Sequence, residues 1–271
     1  PLTPCAVDQA TFIVAQNQPV DAGIDGAVTL CISSTVTDLY ASLGGTPDVG
    51  GIWTAPGGAA FDGTFTPGTD AAGVYTYNVA ALAPCANASA TVTVAVVSLP
   101  DPGNAGVLTL CTSGAAQDLF AVLGGTPDAG GTWTAPGGGA HSGSMDPASD
   151  AAGVYTYTIN VPPPCASVSS TVTITLQAPP DPGINGAELL CVTSPTIDLF
   201  GSLQGSPDAG GSWTAPGGGA FGGPFTPGTS TPGTYTYTVI GIAPCPNAIA
   251  SVDVAVTSIP DAGSNGNITL C

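Results

Sequence analysis

Lysine and arginine are absent from all 271 residues, and histidine, methionine and glutamate occur once each, as His141, Met145 and Glu188. Ordinary globular chains carry roughly a quarter charged residues of both signs; here charged residues make up 7%, every one of them acidic. Without cations the chain cannot build a phosphate clamp, a counterion-releasing nucleic-acid surface or a patch for anionic membranes. A Schiff-base lysine and an arginine finger are excluded as well, and so is a lysine–asparagine isopeptide cross-link. No apolar run reaches the length of a membrane-spanning helix. No CxxC pair marks a zinc or dithiol redox site. The formal charge of −18 is spread thinly and favours solubility and mutual repulsion of chains.

What is present is regular. Cysteines stand at Cys5, Cys31, Cys85, Cys111, Cys165, Cys191, Cys245 and Cys271, with steps that alternate between 26 and 54 residues. Trp53, Trp133 and Trp213 repeat every 80 residues, as do Tyr75, Tyr155 and Tyr235. A fixed period denotes an array of like modules, and this one matches a small independent domain better than a solenoid unit. The expected organisation is the end of a preceding repeat over 1–20, repeats over 21–100, 101–180 and 181–260, and the start of a following repeat over 261–271. The chain then reads as a stretch of a longer array. Its 39 glycines and 27 prolines fall at set places between apolar runs, unlike the unpunctuated composition of disordered chains.

Within one repeat, residues 27–31, 51–55, 61–66, 74–79 and 90–97 read as short strands. The alternation of Val74-Tyr75-Thr76-Tyr77-Asn78-Val79 is the clearest. Residues 37–43 are ambiguous between strand and helical turn. Pro56-Gly57-Gly58 and Gly44-Gly45-Thr46-Pro47-Asp48 are turns. About six or seven short strands per 80 residues, with no convincing helix, predict an all-β fold: tandem immunoglobulin-like β-sandwiches in an elongated array. Trp53, Trp133 and Trp213 are expected between the sheets with Tyr75, Tyr155 and Tyr235, as core rather than as a sugar-stacking platform.

A domain of this size buries little core, so a covalent staple is expected, and disulfides place the chain outside the cytoplasm. Two pairings fit the spacing. One joins cysteines within a repeat: Cys31–Cys85, Cys111–Cys165 and Cys191–Cys245, with Cys5 and Cys271 partnered beyond the sequence. The other joins Cys5–Cys31, Cys85–Cys111, Cys165–Cys191 and Cys245–Cys271. The second needs Cys85 to reach past a whole strand and a linker, although bonded Cα atoms lie within about 7 Å. The within-repeat scheme is favoured because the first strand of an Ig-like sandwich begins at the pole where the Cys85 loop lies.

Asp21, Asp25, Asp181 and Asn185 sit in the linkers, where oxygen ligands would suit Ca²⁺; the competing reading is turn chemistry, and Ala105 breaks the pattern in the second repeat. No metal or cofactor is otherwise expected. Asp38, Asp118 and Asp198 are expected to cap a strand or helix start. His141 and Met145 occupy slots held elsewhere by Phe61 and Phe221, and by Phe65 and Phe225, which reads as drift at a half-exposed apolar position. No catalytic constellation repeats, and no enzyme is expected.

The series Asp-Leu-Phe, Leu-Gly-Gly-Thr-Pro-Asp-Ala-Gly-Gly and Trp-Thr-Ala-Pro-Gly-Gly, then Ala-Ala-Gly-Val-Tyr-Thr-Tyr and Ala-Pro-Cys before Thr-Val-Thr-Val, resembles tandem repeats of very large secreted Bacteroidetes proteins. Many of these carry a gliding-motility-associated type IX secretion domain. The resemblance implies export, display at the cell surface, and service as an adhesin stalk or extracellular fibre. Partners under this reading are further chains in a filament and a glycan or surface at a tip, with no nucleic acid and no membrane insertion. The alternative is a carbohydrate- or surface-binding module that uses Thr-rich faces.

Overall fold

The computed structural model describes residues 3–261 together with Gly263, Asn265, Gly266, Ile268 and Thr269. The chain forms two compact units, Pro1–Pro102 with Thr158–Ser169, and Gly103–Tyr157 with Ser170–Cys271. The first holds one complete set of strands, named here β1 (Gly26–Cys31), β2 (Thr37–Asp38), β3 (Ile52–Thr54), β4 (Ala60–Phe61), β5 (Thr64–Phe65), β6 (Gly73–Val79) and β7 (Ala88–Val97). The same order recurs 80 and 160 residues later.

Five strands form one sheet in the order β1-β7-β6-β3-β4, and β2 pairs with β5 in a second. β1 runs parallel to β7, with Gly26 opposite Val92 and Cys31 opposite Val97, while the other pairings are antiparallel. Two sheets with a tryptophan on a central strand define an immunoglobulin-like sandwich, and the strand order recurs in the later repeats.

Alternation explains the core. Tyr75, Tyr77 and Val79 of β6 and Ala90, Val92 and Val94 of β7 point inward, where they meet Leu39, Trp53 and Phe65. The Tyr75 hydroxyl donates to Ala71 O at 2.8 Å. In antibody domains the corresponding tyrosine lies two residues before the second cysteine of the inter-sheet disulfide. Here that place belongs to Tyr77, whose ring packs 5.0 Å from Trp53 and whose hydroxyl donates to Asp48 O while accepting from Gly51 N–H. Tyr77 thus stands where the second cysteine would be and packs on the tryptophan in its stead. Burial pushes the phenols of Tyr75, Tyr155 and Tyr235 above their ordinary pKa, and the charges of Asp70 and Asp150 add to this at the first two.

The ambiguous stretch 37–43 resolves into β2 followed by a 3-10 turn, Leu39–Ser42. Asp38 caps it by accepting from Tyr40 N–H at 3.0 Å, and Asp118 and Asp198 make the same bond to Phe120 and Phe200. Met145, read from sequence as half-exposed, is fully buried in the slot of Phe65 and Phe225. Methionine fills such a gap because its unbranched side chain adapts to the space left by the ring. Among the described residues no helix is long and apolar enough to cross a membrane.

Candidate functional site

The strand ends that carry the cysteines are the chemically distinctive part of this molecule. Cys31 closes β1 and is followed by a tight turn. Its N–H donates to Ser34 Oγ at 3.0 Å, Ser34 N–H donates back to Cys31 O, and Ser33 Oγ lies 3.3 Å from the sulfur. Ile32 N–H donates to Val97 O at 2.9 Å, which ties the turn to the end of β7. Cys165 lies in the loop between strands Gly153–Ile159 and Val168–Gln177, with its Sγ 3.7 Å from the same Val97 O.

The disulfides formed are Cys31–Cys165 and Cys111–Cys245, each between residues 134 apart, with Cα separations of 5.0 and 4.9 Å. Each joins the first cysteine of one repeat to the second cysteine of the next, and each lies inside one compact unit. All four cysteines are buried. The within-repeat pairs Cys31–Cys85, Cys111–Cys165 and Cys191–Cys245 are therefore corrected, and so are the pairs across linkers. The physical reason is the parallel pairing of β1 with β7. The first strand does begin near the pole of the Cys85 loop, but its cysteine is at the strand's far end, opposite Val97. Cys85 precedes β7, whose ten residues span about 33 Å. No disulfide closes that gap.

Cys5, Cys85 and Cys191 are unpaired; Cys271 lies outside the described residues. Cys85 and Cys191 reproduce the two halves of the junction. Cys85 Sγ lies 3.7 Å from Asn17 O, as Cys165 does from Val97 O. Cys191 N–H donates to Ser194 Oγ at 3.0 Å, and Val192 N–H donates to Thr257 O at 2.9 Å. The Thr193 hydroxyl, 3.3 Å from Cys191 Sγ, holds this thiol below its ordinary pKa, with the Thr193 and Val192 amides adding to it against a smaller opposing effect of burial. Alkylation of the native chain is expected to label Cys5, Cys85 and Cys191 while sparing Cys31, Cys111, Cys165 and Cys245 until a reductant is added. Thr193→Val is expected to slow labelling of Cys191 several-fold at pH 7, because the thiolate is the reacting form. Equal rates in the variant would contradict the assigned role of that hydroxyl.

The linker carboxylates serve the backbone. Asp21 Oδ1 and Asp181 Oδ1 accept from Gly23 and Gly183 N–H at 2.8 Å, while Asp25 and Asn185 accept from Thr91 and Ser251 N–H across the sheet edge. Among the described residues no group of three or more His, Cys, Asp or Glu is placed to hold a metal. Turn chemistry accounts for Asp21 and Asp181, and strand bracing for Asp25 and Asn185.

His141 has a structural partner that its sequence context did not reveal. Its Nδ1 accepts from Gly143 N–H at 3.1 Å, so Nε2 carries the proton, and it faces Asp150 Oδ2 at 3.3 Å. Asp150 accepts from Asp146 N–H at 2.8 Å. That amide bond lowers the Asp150 pKa, burial opposes it, and His141 adds to the lowering. A carboxyl depressed on folding contributes stability above its unfolded pKa and loses it as pH falls through the folded one. The turn at 146–150 is expected to loosen below about pH 4. In the third repeat Ser230 takes the aspartate's place and bonds Thr226 N–H. Amide exchange against pH should therefore show acid loosening at Asp146 and none at Thr226; equal sensitivity of the two turns would contradict this.

No family model matches the chain, and no curated protein matches it. Solved structures of tandem immunoglobulin domains do. A three-domain I67–I69 fragment of titin with glutamate-to-alanine changes is 12% identical, at TM-score 0.46, over 86% of this chain and 97% of that one. Extracellular domains 3–5 of Drosophila OTK are 14% identical, at TM-score 0.34, over 90% and 98%. Four N-terminal Ig domains of Dscam1 isoform 6.9 are 14% identical, at TM-score 0.32, over 90% and 74%. Nothing about activity follows from similarities of this size.

Proposed function

We propose that this chain is the structural repeat region of an extracellular adhesin stalk or surface fibre. In this reading 21–100, 101–180 and 181–260 are its Ig-like domains. The observation that carries the proposal is where the disulfides fall. They join one repeat to the next, which suits a connector more than a collection of separate binding modules. Disulfides persist in oxidising compartments, and a chain without Lys or Arg offers no site to proteases that cut after those residues. Display at a bacterial surface by type IX export follows from the sequence resemblance and belongs to the same proposal. Electron microscopy of the oxidised chain tests it: three strand lengths of about 30 Å each should give particles of roughly 100 Å, and compact globules would contradict the stalk.

A second reading, a surface-binding module, draws on a row of hydroxyls on the outward side of the large sheet. Thr54 stands opposite Thr76 and Thr76 opposite Thr91, and Thr214, Thr236 and Ser251 repeat the row. Specific retention on a glycan array would favour this reading over the stalk.

A further inference from the structure

The two disulfides interleave: the loop closed by Cys31–Cys165 and the loop closed by Cys111–Cys245 share residues 111–165. Between Cys31 and Cys245 there are therefore three covalent routes besides the uninterrupted backbone. One follows the chain from Cys31 to Cys111 and crosses to Cys245. A second crosses from Cys31 to Cys165 and follows the chain to Cys245. The third crosses to Cys165, runs backward to Cys111, and crosses again. Each route depends on a different backbone segment, 32–110, 166–244 and 112–164 respectively. Each stays continuous as long as its own segment is whole.

From this connectivity we propose a mechanical function beyond simple spacing: the stretch from Cys31 to Cys245 is a redundant tether whose two ends stay covalently joined until all three segments have been cut. Neither pairing considered from sequence has this property. Bonds confined within repeats leave every linker as a single point of failure, and bonds across linkers leave every sandwich as one. An extracellular connector meets proteases and tension together, and redundancy answers both, because a nicked or unfolded sandwich still transmits load through its neighbours' sulfur bonds. The absence of Lys and Arg lowers the frequency of cuts; the interleaving lowers their consequence. The inference deepens the stalk reading but rests on the disulfide scheme alone, so an image showing globules would defeat the stalk without touching the tether.

The test places one recognition sequence for a site-specific protease in each segment, at Gly57-Gly58, Gly137-Gly138 and Gly217-Gly218. These are three copies of one turn in which a side chain at either glycine would meet no atom within 4 Å, and such exposed turns tolerate insertion. Full-length chains with every combination of sites are cut, denatured and separated without reductant. Any one or two cuts are expected to leave a single species of full mass. Three cuts are expected to give two products of nearly equal mass, 1–57 joined to 138–217 and 58–137 joined to 218–271. Reductant should separate every cut chain. A triple-cut chain that stays whole would mean bonds within repeats; a single-cut chain that falls apart would mean bonds across linkers; either overturns the proposal. Continued protection of Cys31, Cys111, Cys165 and Cys245 from alkylation in the uncut variants shows that the insertions have not disturbed the bonds.

Discussion

Reduction of the two disulfides should lengthen the fully stretched chain about two-and-a-half-fold. With both bonds intact, the shortest covalent route from end to end enters at Cys31, returns from Cys165 to Cys111 and leaves at Cys245, and so pulls about 110 peptide links taut, or about 390 Å. The reduced chain has all of its roughly 270 links available, about 950 Å. Bonds across linkers would instead leave about 166 links taut and a ratio of about 1.6. Bonds confined within repeats would leave about 108 and the same two-and-a-half-fold ratio, so a map of the linked peptides is what separates that scheme from the interleaved one. Single-molecule extension with and without reductant reads the ratio directly. A ratio near one would contradict the scheme. The bonds also restrain the unfolded ensemble: a closed loop of this size contributes about 5 kcal/mol in the chain-entropy account, less any strain, and the shared segment makes the two contributions non-additive.

The second large effect is expected at a glycine. A Cβ on Gly26 would stand 1.9 Å from Ser42 O, and the equivalent positions Gly106 and Gly186 would place one 2.3 Å from Val122 O and 2.0 Å from Ser202 O. The obstacle is backbone, so no rotamer relieves it. Relief requires moving β1 or the 3-10 turn whose Leu39 is fully buried in the core. Gly26→Ala is expected to cost about 2–3 kcal/mol, in line with overpacked cores, and to lower the thermal midpoint by about 10 °C or more. Gly139→Ala, with open space around it, should stay within about 0.5 kcal/mol. Calorimetry of the two variants decides the matter, and similar midpoints would show that the first strand does not press on that turn.

Much of the fold was legible because its signals are local. The Val-Tyr-Thr-Tyr alternation, the glycine and proline turns and the 80-residue period each act over a few residues, and together they specify β6, its tyrosine pair and the sandwich class. The 3-10 turn after Asp38 was half legible: the aspartate was readable as a cap, but Leu-Tyr-Ala-Ser carries no period that separates a strand from a single helical turn. Disulfide partners were not legible, because they depend on which end of a strand faces which neighbour. The clue was the position of Cys31 at the end of Val-Thr-Leu-Cys. Parallel pairing of that strand with the last one places Cys31 opposite Val97 and away from Cys85. The His141–Asp150 pair was hidden for a related reason, since nothing in Ala-His-Ser-Gly announces an aspartate nine residues on.

The pairing of cysteines between successive repeats is tested most directly by cleaving the oxidised chain before aspartate and weighing the linked peptides. The peptide spanning 25–37, with Cys31, should be joined to the one spanning 150–180, with Cys165, and 101–117, with Cys111, should be joined to 208–252, with Cys245. Recovery of 25–37 joined to 70–100, the peptide of Cys85, would contradict it.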